Sequence, residues 1–164
     1  MVSEIRRLTT RDVVELKQLL KACWLDTYTG SLPDRTIRTV LELWQSEENL
    51  FRGVQNPQLY YAGYFDTSSM LGMVSCGKVD QDTLRIYRHY VSPSSQRRGI
   101  GSRPMDDAVE HFKPLKQVVL DDEEGNKKGI NFYKRYGFAF PAKTVIKVGD
   151  DEIPSLIAEL ELQE

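Results

Sequence analysis

Apolar residues recur at helical spacing over 11–27, at Val14, Leu16, Leu19, Leu20 and Cys23, with Thr9 or Thr10 positioned as a cap. Gly30 and Pro33 interrupt that pattern. A second stripe, Ile37, Val40, Leu41 and Trp44, predicts a helix over 34–45. Residues 5–8 fit a short strand, and the aromatic-rich 59–65 reads as another. Asp66 to Ser69 is a turn, Met70–Lys78 the returning strand, Asp80 to Asp82 a second turn, and Thr83–Val91 the third strand of a meander. Beyond Pro93 the period changes. Met105, Ala108, Val109 and Phe112 mark a helix starting at Ser102, which Lys113-Pro114 ends. Residues 117–120 form a short, nearly all-apolar strand, as a buried one would be. Residues 126–136 are helical, stopped by Gly137, and strands over 138–148 and 153–162 surround Gly149-Asp150-Asp151. The order α-α, β-meander, β-α-β-α-β-β predicts an α+β fold, a mixed central β-sheet with helices on its faces, in one domain spanning 1–164.

Composition narrows the class. The 164 residues are 40% hydrophobic and 28% charged, ordinary for a globular domain with a real core. A formal charge of −2 does not suggest a nucleic-acid partner. No apolar run approaches the roughly 20 residues that cross a bilayer, and the N-terminal residues lack the apolar core of a signal peptide. Cys23 and Cys76 read as reduced, buried thiols, so the expected location is cytoplasmic, with no membrane association and no metal cluster. The strand edges of a small sheet are compatible with a homodimer.

The segment carrying most chemistry is Tyr90-Val91-Ser92-Pro93-Ser94-Ser95-Gln96-Arg97-Arg98-Gly99-Ile100-Gly101-Ser102. A strand ends, a polar loop follows, two glycines alternate and a helix begins. Glycine lets a ligand approach the backbone closely, and N–H groups entering a helix can converge on an anion. Arg97 and Arg98 add charge-assisted donors for phosphate oxygens. The P-loop pattern is absent, and the dinucleotide fingerprint lacks its third glycine. The chemistry suits a pyrophosphate.

Here the chain resembles the GCN5-related N-acetyltransferases (GNAT). Their first signature, Gln/Arg-x-x-Gly-x-Gly/Ala after Val-x-Pro, is met by Gln96, Gly99 and Gly101 after Val91 and Pro93. Their second, Asn-x-x-Ala-x-x-Phe-Tyr-x-x-x-Gly-Phe, reads Asn126, Gly129, Phe132, Tyr133, Gly137 and Phe138, with glycine in place of alanine. Pro104 also departs from the pattern, where the family usually has an aliphatic residue, although proline is tolerated in a first helical turn.

The resemblance implies acetyl-coenzyme A as cosubstrate, no metal, and direct transfer of the acetyl group to a primary amine. The acceptor would be a small-molecule amine, a polyamine or a peptide amine. A non-catalytic acyl-coenzyme A-binding or protein-interaction module of the same fold is the alternative. By position, Gln96, Arg97, Arg98, Gly99, Ile100, Gly101 and Ser102 would hold the pyrophosphate. The main chain of His89, Tyr90 and Val91 would bind the pantetheine arm and polarise the acetyl oxygen. Asn126 would sit beside that arm, or serve only as a helix cap. Tyr133 would protonate the departing thiolate, with Tyr136 as a substitute, or would simply pack against the helix. Asp121 is the expected base, opening the acidic run Asp121 to Glu124, with His89 a second candidate and a solvated acidic turn the bland reading. Trp24 and Tyr28, one helical turn apart, would line the acceptor pocket or pack the helix on the sheet. The acidic run favours a cationic acceptor.

Overall fold

The computed structural model describes residues 3–67, 69–96 and 98–163. Thr9 caps a short 3-10 turn at Thr10–Asp12 through a capping box with Asp12, and helix α1 follows at Val13–Tyr28. Helices α2 (Asp34–Leu43) and α3 (Glu47–Gln55) complete the N-terminal half before strands β2 (Tyr60–Phe65), β3 (Met70–Lys78) and β4 (Thr83–Val91). Then come α4 (Ser102–Phe112), β5 (Gln117–Glu123), α5 (Lys127–Tyr136), β6 (Ala139–Val148) and β7 (Asp151–Glu161). Strand β1 (Glu4–Arg7) pairs with β2. The described strands form one mixed sheet in the order β1-β2-β3-β4-β5-β7-β6, in which only β4 and β5 run parallel.

Helices cover both faces because the central strands are apolar on both. Alternate residues of β2 and β3 divide between two cores. Ala62, Val74 and Cys76 join Met105, Ala108 and Tyr133 from α4 and α5. Tyr61 and Met73 join Leu16, Leu20 and Leu50 from α1 and α3. A third cluster, with Trp24, Tyr28, Ile37 and Val40, seats α1 and α2 on Val148 and Ile153. Each fully buried leucine in this packing contributes about 1.5–3 kcal/mol.

Four local readings change. The inner stripe of α1 runs through Val13, which is fully buried, while Val14 is 54% exposed. The capping box fixes where the helix begins, and that sets which face turns inward. Helix α2 stops at Leu43, earlier than 45, and α3 is an element that the pattern did not predict. Ser46 caps α3, accepting from the N–H of Asn49, and Leu50 anchors it to α1. Finally, β5 continues past Leu120 to Glu123, held by β7 through Asp121↔Ile157 and Glu123↔Ser155. The acidic run is therefore largely strand rather than turn.

Candidate active site

The parallel ladder between β4 and β5 covers only Thr83–Arg85 against Gln117–Val119. Beyond it the strands part. β4 continues to Val91 bonded to β3 on one edge, while its other edge faces a gap. Alternate N–H and C=O groups of a strand point to each edge, so this stretch offers backbone partners to a ligand entering the gap. A cleft of about 290 Å³ occupies it, with Tyr90, Glu123, Asn126 and Tyr133 on its walls. His89 and Tyr90 line this cleft, while the carbonyl of Val91 is taken by the Gln96 amide and the Cys23 thiol.

β4 leads directly into the glycine loop. The side-chain amide of Gln96 donates to the carbonyl of Val91 at 3.3 Å and folds the loop back onto the strand. Gly99 has φ +71°, a conformation that L side chains rarely adopt. Gly101 has an ordinary φ of −59° and is glycine for space, since a Cβ would stand 3.1 Å from the Phe132 ring. Ile100 is buried and Arg98 exposed, and Ser102 donates to the Gly99 carbonyl at 3.3 Å. Arg97 lies outside the described residues. Helix α4 begins at Ser102, with Pro104 buried in its first turn. The entering N–H groups of a helix have no intrahelical acceptor, but here Arg103 N–H is bonded to the Ile100 carbonyl at 3.0 Å and Pro104 has no N–H, so Gly101 and Ser102 are the donors left at this end.

The far wall is α5. Asn126 caps it, its Oδ1 accepting from Gly129 N–H at 3.1 Å while its Nδ2 donates to Asp122 Oδ1 at 2.9 Å. A Cβ at Gly129 would collide with the Asn126 amide and come within 2.9 Å of Asp122 Oδ2. The space an alanine would fill at 129 is taken here by the Asp122–Asn126 pair. Tyr133 is 7% exposed, and its hydroxyl lies 3.1 Å from His89 Nδ1. Burial holds its pKa well above the usual phenol range, so it enters any reaction protonated.

The acidic run alternates across β5. Asp121 is ion-paired to Arg85 Nη2 at 2.7 Å. Asp122 is buried, 4% exposed, and its Oδ2 meets no donor among the described residues but lies close enough to Glu123 to share a proton with it. Glu123 returns to the cleft side, where its Oε2 accepts from the Tyr28 hydroxyl at 2.6 Å. Sequence reading placed only Asp121 in a role. The signal for the others was available, because the two-residue alternation of Val118 and Leu120 carries on through Asp122.

Trp24 and Tyr28 are both buried, with ring centroids 4.4 Å apart. The indole N–H of Trp24 donates to the Tyr90 hydroxyl at 2.9 Å, so Trp24 braces the cleft from behind. Tyr90 keeps its own hydroxyl proton for a further partner. Tyr28 reaches the site through Glu123. The structure thus brings together His89, Tyr90, Tyr133, Asn126 and the Tyr28–Glu123 pair around one cleft, with the glycine loop tied to it where His89 Nε2 meets the Gly101 carbonyl.

Burial, and then the charge of Glu123, pushes the Asp122 carboxyl up to about 8. Unfolded, it would titrate near 3.9. Between those values the folded chain holds the extra proton, so this group makes stability fall as pH rises. His89 acts oppositely, because burial lowers it to about 4 from 6.5 and stability falls as pH drops through that range. Between pH 6.5 and 8 the Asp122 effect dominates, since the buried thiols and phenols act only at higher pH. Asp122→Asn keeps an oxygen for the Asn126 amide and removes the titration. Its stability should stay flat from pH 6.5 to 8, where the native chain loses stability. Urea titrations at several pH values check this, and parallel curves for the two proteins would refute it.

Comparison with known proteins agrees with this geometry. The family model described as Acetyltransferase (GNAT) family matches residues 13–138. A spermidine N(1)-acetyltransferase of Thermoplasma acidophilum is 25% identical over 144 residues, covering 84% of this chain and 89% of that protein. A probable N-acetyltransferase of Mycobacterium tuberculosis is 28% identical over 128 residues, 74% of this chain and 71% of that one. Among solved structures, the PaiA N-acetyltransferase of Thermoplasma acidophilum in complex with coenzyme A superposes with a TM-score of 0.86 at 22% identity, covering 99% of this chain and all of that one. The ribosomal-protein-S18-alanine N-acetyltransferase of Escherichia coli gives 0.74 at 15% identity over 99% and 96% of the two chains. With a glycine loop at the end of a parted β4–β5 pair, a tyrosine on the helix opposite, and a family match over most of its length, the chain belongs to the GNAT acetyltransferase family.

Proposed function

We propose that this acetyltransferase moves the acetyl group of acetyl-coenzyme A directly onto a primary amine of a cationic acceptor, a polyamine or similar small amine. The observation that carries the acceptor class is the Glu123 carboxylate. It lines the cleft, where its Oε2 accepts from the Tyr28 hydroxyl and where it neighbours the Asp122 carboxyl. An ammonium group would find a charge-assisted partner there, inside a wall built from Trp24, Tyr28 and Tyr90. The relative named a spermidine N(1)-acetyltransferase supports the same class.

The loop Gln96 to Ser102 seats the pyrophosphate, and the free edge of β4 at His89 to Val91 takes the pantetheine arm. The same edge polarises the thioester carbonyl through a backbone N–H, which is preorganised and needs no particular side chain. The acceptor nitrogen, neutral when it attacks, forms a bond to the acetyl carbon. The carbon–sulfur bond then breaks, and Tyr133 gives its proton to the thiolate. The nitrogen's surplus proton leaves through the cleft. Glu123 is the better receiver, because Asp121 is held by Arg85. Asn126 sets the start of α5 and hence the position of Tyr133.

The test is an amine panel read by mass spectrometry. Polyamines should outpace neutral-tailed amines of equal reach. Glu123→Gln should raise KM for the polyamine about 10- to 100-fold, the worth of one hydrogen bond to a charged group, while sparing KM for acetyl-coenzyme A. Equal turnover of neutral and cationic amines would remove the cationic acceptor and leave the acetyl transfer standing.

A further inference from the structure

His89 has a role beyond its main chain. Its Nε2 lies 2.7 Å from the carbonyl oxygen of Gly101. A carbonyl can only accept, so Nε2 carries a hydrogen. A neutral imidazole carries one, which leaves Nδ1 as a lone pair facing the Tyr133 hydroxyl at 3.1 Å. The hydroxyl therefore donates to the ring. Burial favours this neutral form, and the Phe132 ring packs against the imidazole with centroids 5.1 Å apart. One side chain thus grips the end of the glycine loop with one nitrogen and the tyrosine hydroxyl with the other.

We propose that His89 is a positioning residue, whose imidazole in the Nε2–H tautomer aims the hydroxyl of Tyr133 and ties it to the loop that seats the pyrophosphate. This rests on reading Tyr133 as the acid. With its hydrogen directed at Nδ1, the phenol oxygen is held at a fixed place. When the carbon–sulfur bond breaks, the O–H turns from Nδ1 to the thiolate and the sulfur takes the proton. The acceptor nitrogen's proton, received by Glu123, is passed on to the phenolate and restores the phenol. The imidazole neither gains nor loses a proton, so no further reactant is needed. Because its other nitrogen is bonded to Gly101, a shift of the loop on cofactor binding is felt at the hydroxyl.

The chain has two histidines, so nitrogen-15 spectra of the native protein read the tautomer directly, with His111→Asn used only for assignment. One histidine should be a fixed Nε2–H tautomer, unchanged from pH 5.5 to 8.5. An Nδ1–H tautomer, a doubly protonated ring or averaged signals for His89 would overturn the proposal. The second arm is a double-mutant cycle on the chemical step. His89→Phe should slow it about 10- to 100-fold, the range that misplacement of a reacting group costs. In a Tyr133→Phe background the same change should cost almost nothing further. Independent, multiplicative losses would overturn the positioning role. If His89→Phe does not fold, His89→Gln, which keeps a donor and an acceptor at altered reach, enters the same cycle. A native rate in Tyr133→Phe alone would instead remove the acid reading, while the tautomer remains readable by itself.

Discussion

Tyr133→Phe should slow the chemical step by about 10² to 10⁴, the range for a positioned general acid. The ring stays, so the core cluster it shares with Met105, Leu120 and Phe138 is kept. What leaves is one hydroxyl whose partner is His89 Nδ1. Cofactor affinity should change little, because the glycine loop is untouched apart from its link through the imidazole. Steady-state turnover will fall less if product release limits the native enzyme, so single-turnover rates are the measurement. The acceptor should be a good one at neutral pH. Tyr136 is a poor substitute, since its hydroxyl is committed to Asp106 of α4 at 2.5 Å. A native single-turnover rate would remove Tyr133 from the mechanism.

Gly101→Glu should abolish binding of acetyl-coenzyme A. The backbone is not the obstacle, as φ at Gly101 suits any residue. The obstacle is space and charge. A Cβ would meet the Phe132 ring at 3.1 Å and Val91 at 3.5 Å, and the carboxylate would then face the phosphates. The native chain should gain about 2.7 kcal/mol at a cofactor concentration 100 times its dissociation constant. For a domain of this size that raises Tm by roughly 5–10 °C. The variant should show no such rise, while its Tm without ligand stays close enough to native to prove folding. Gly101→Ala, which asks the Phe132 ring to give by a few tenths of an ångström, should retain a weaker rise. A full rise in the glutamate variant would mean that the pyrophosphate binds elsewhere.

Much of this protein follows from local pattern. The glycines at 99 and 101 sit where a strand hands over to a helix, and that handover is written in the change of period around Pro93. Strand order along the chain, the Asn126 cap and the Gly137 stop are equally local, because caps and turns are made within a few residues. Helix α3 was harder to read. It is nine residues long with one fully buried anchor, Leu50, and it exists because α1 offers that leucine a seat.

The active site was decided at longer range. Asp121, Asp122 and Glu123 are consecutive carboxylates, and their separate fates depend on β7 holding the strand straight beyond Leu120. One then meets Arg85, the next is buried under α5, and the third meets Tyr28. The sharpest case is β4. Plain alternation from Leu84 and Ile86 would put Arg88 and Tyr90 beneath α4 and α5. The ladder instead pairs Ser75 with Arg88 and Cys76 with Ile86, leaving Tyr87 as an extra residue. That single bulge reverses the alternation. His89 turns toward Gly101 and Tyr133, and Tyr90 turns toward Trp24. The sequence alone pointed to a tyrosine and a glycine loop as the two parts of one cofactor site. Which side chain joins them was settled by a register between two strands, and that register belongs to the packed sheet.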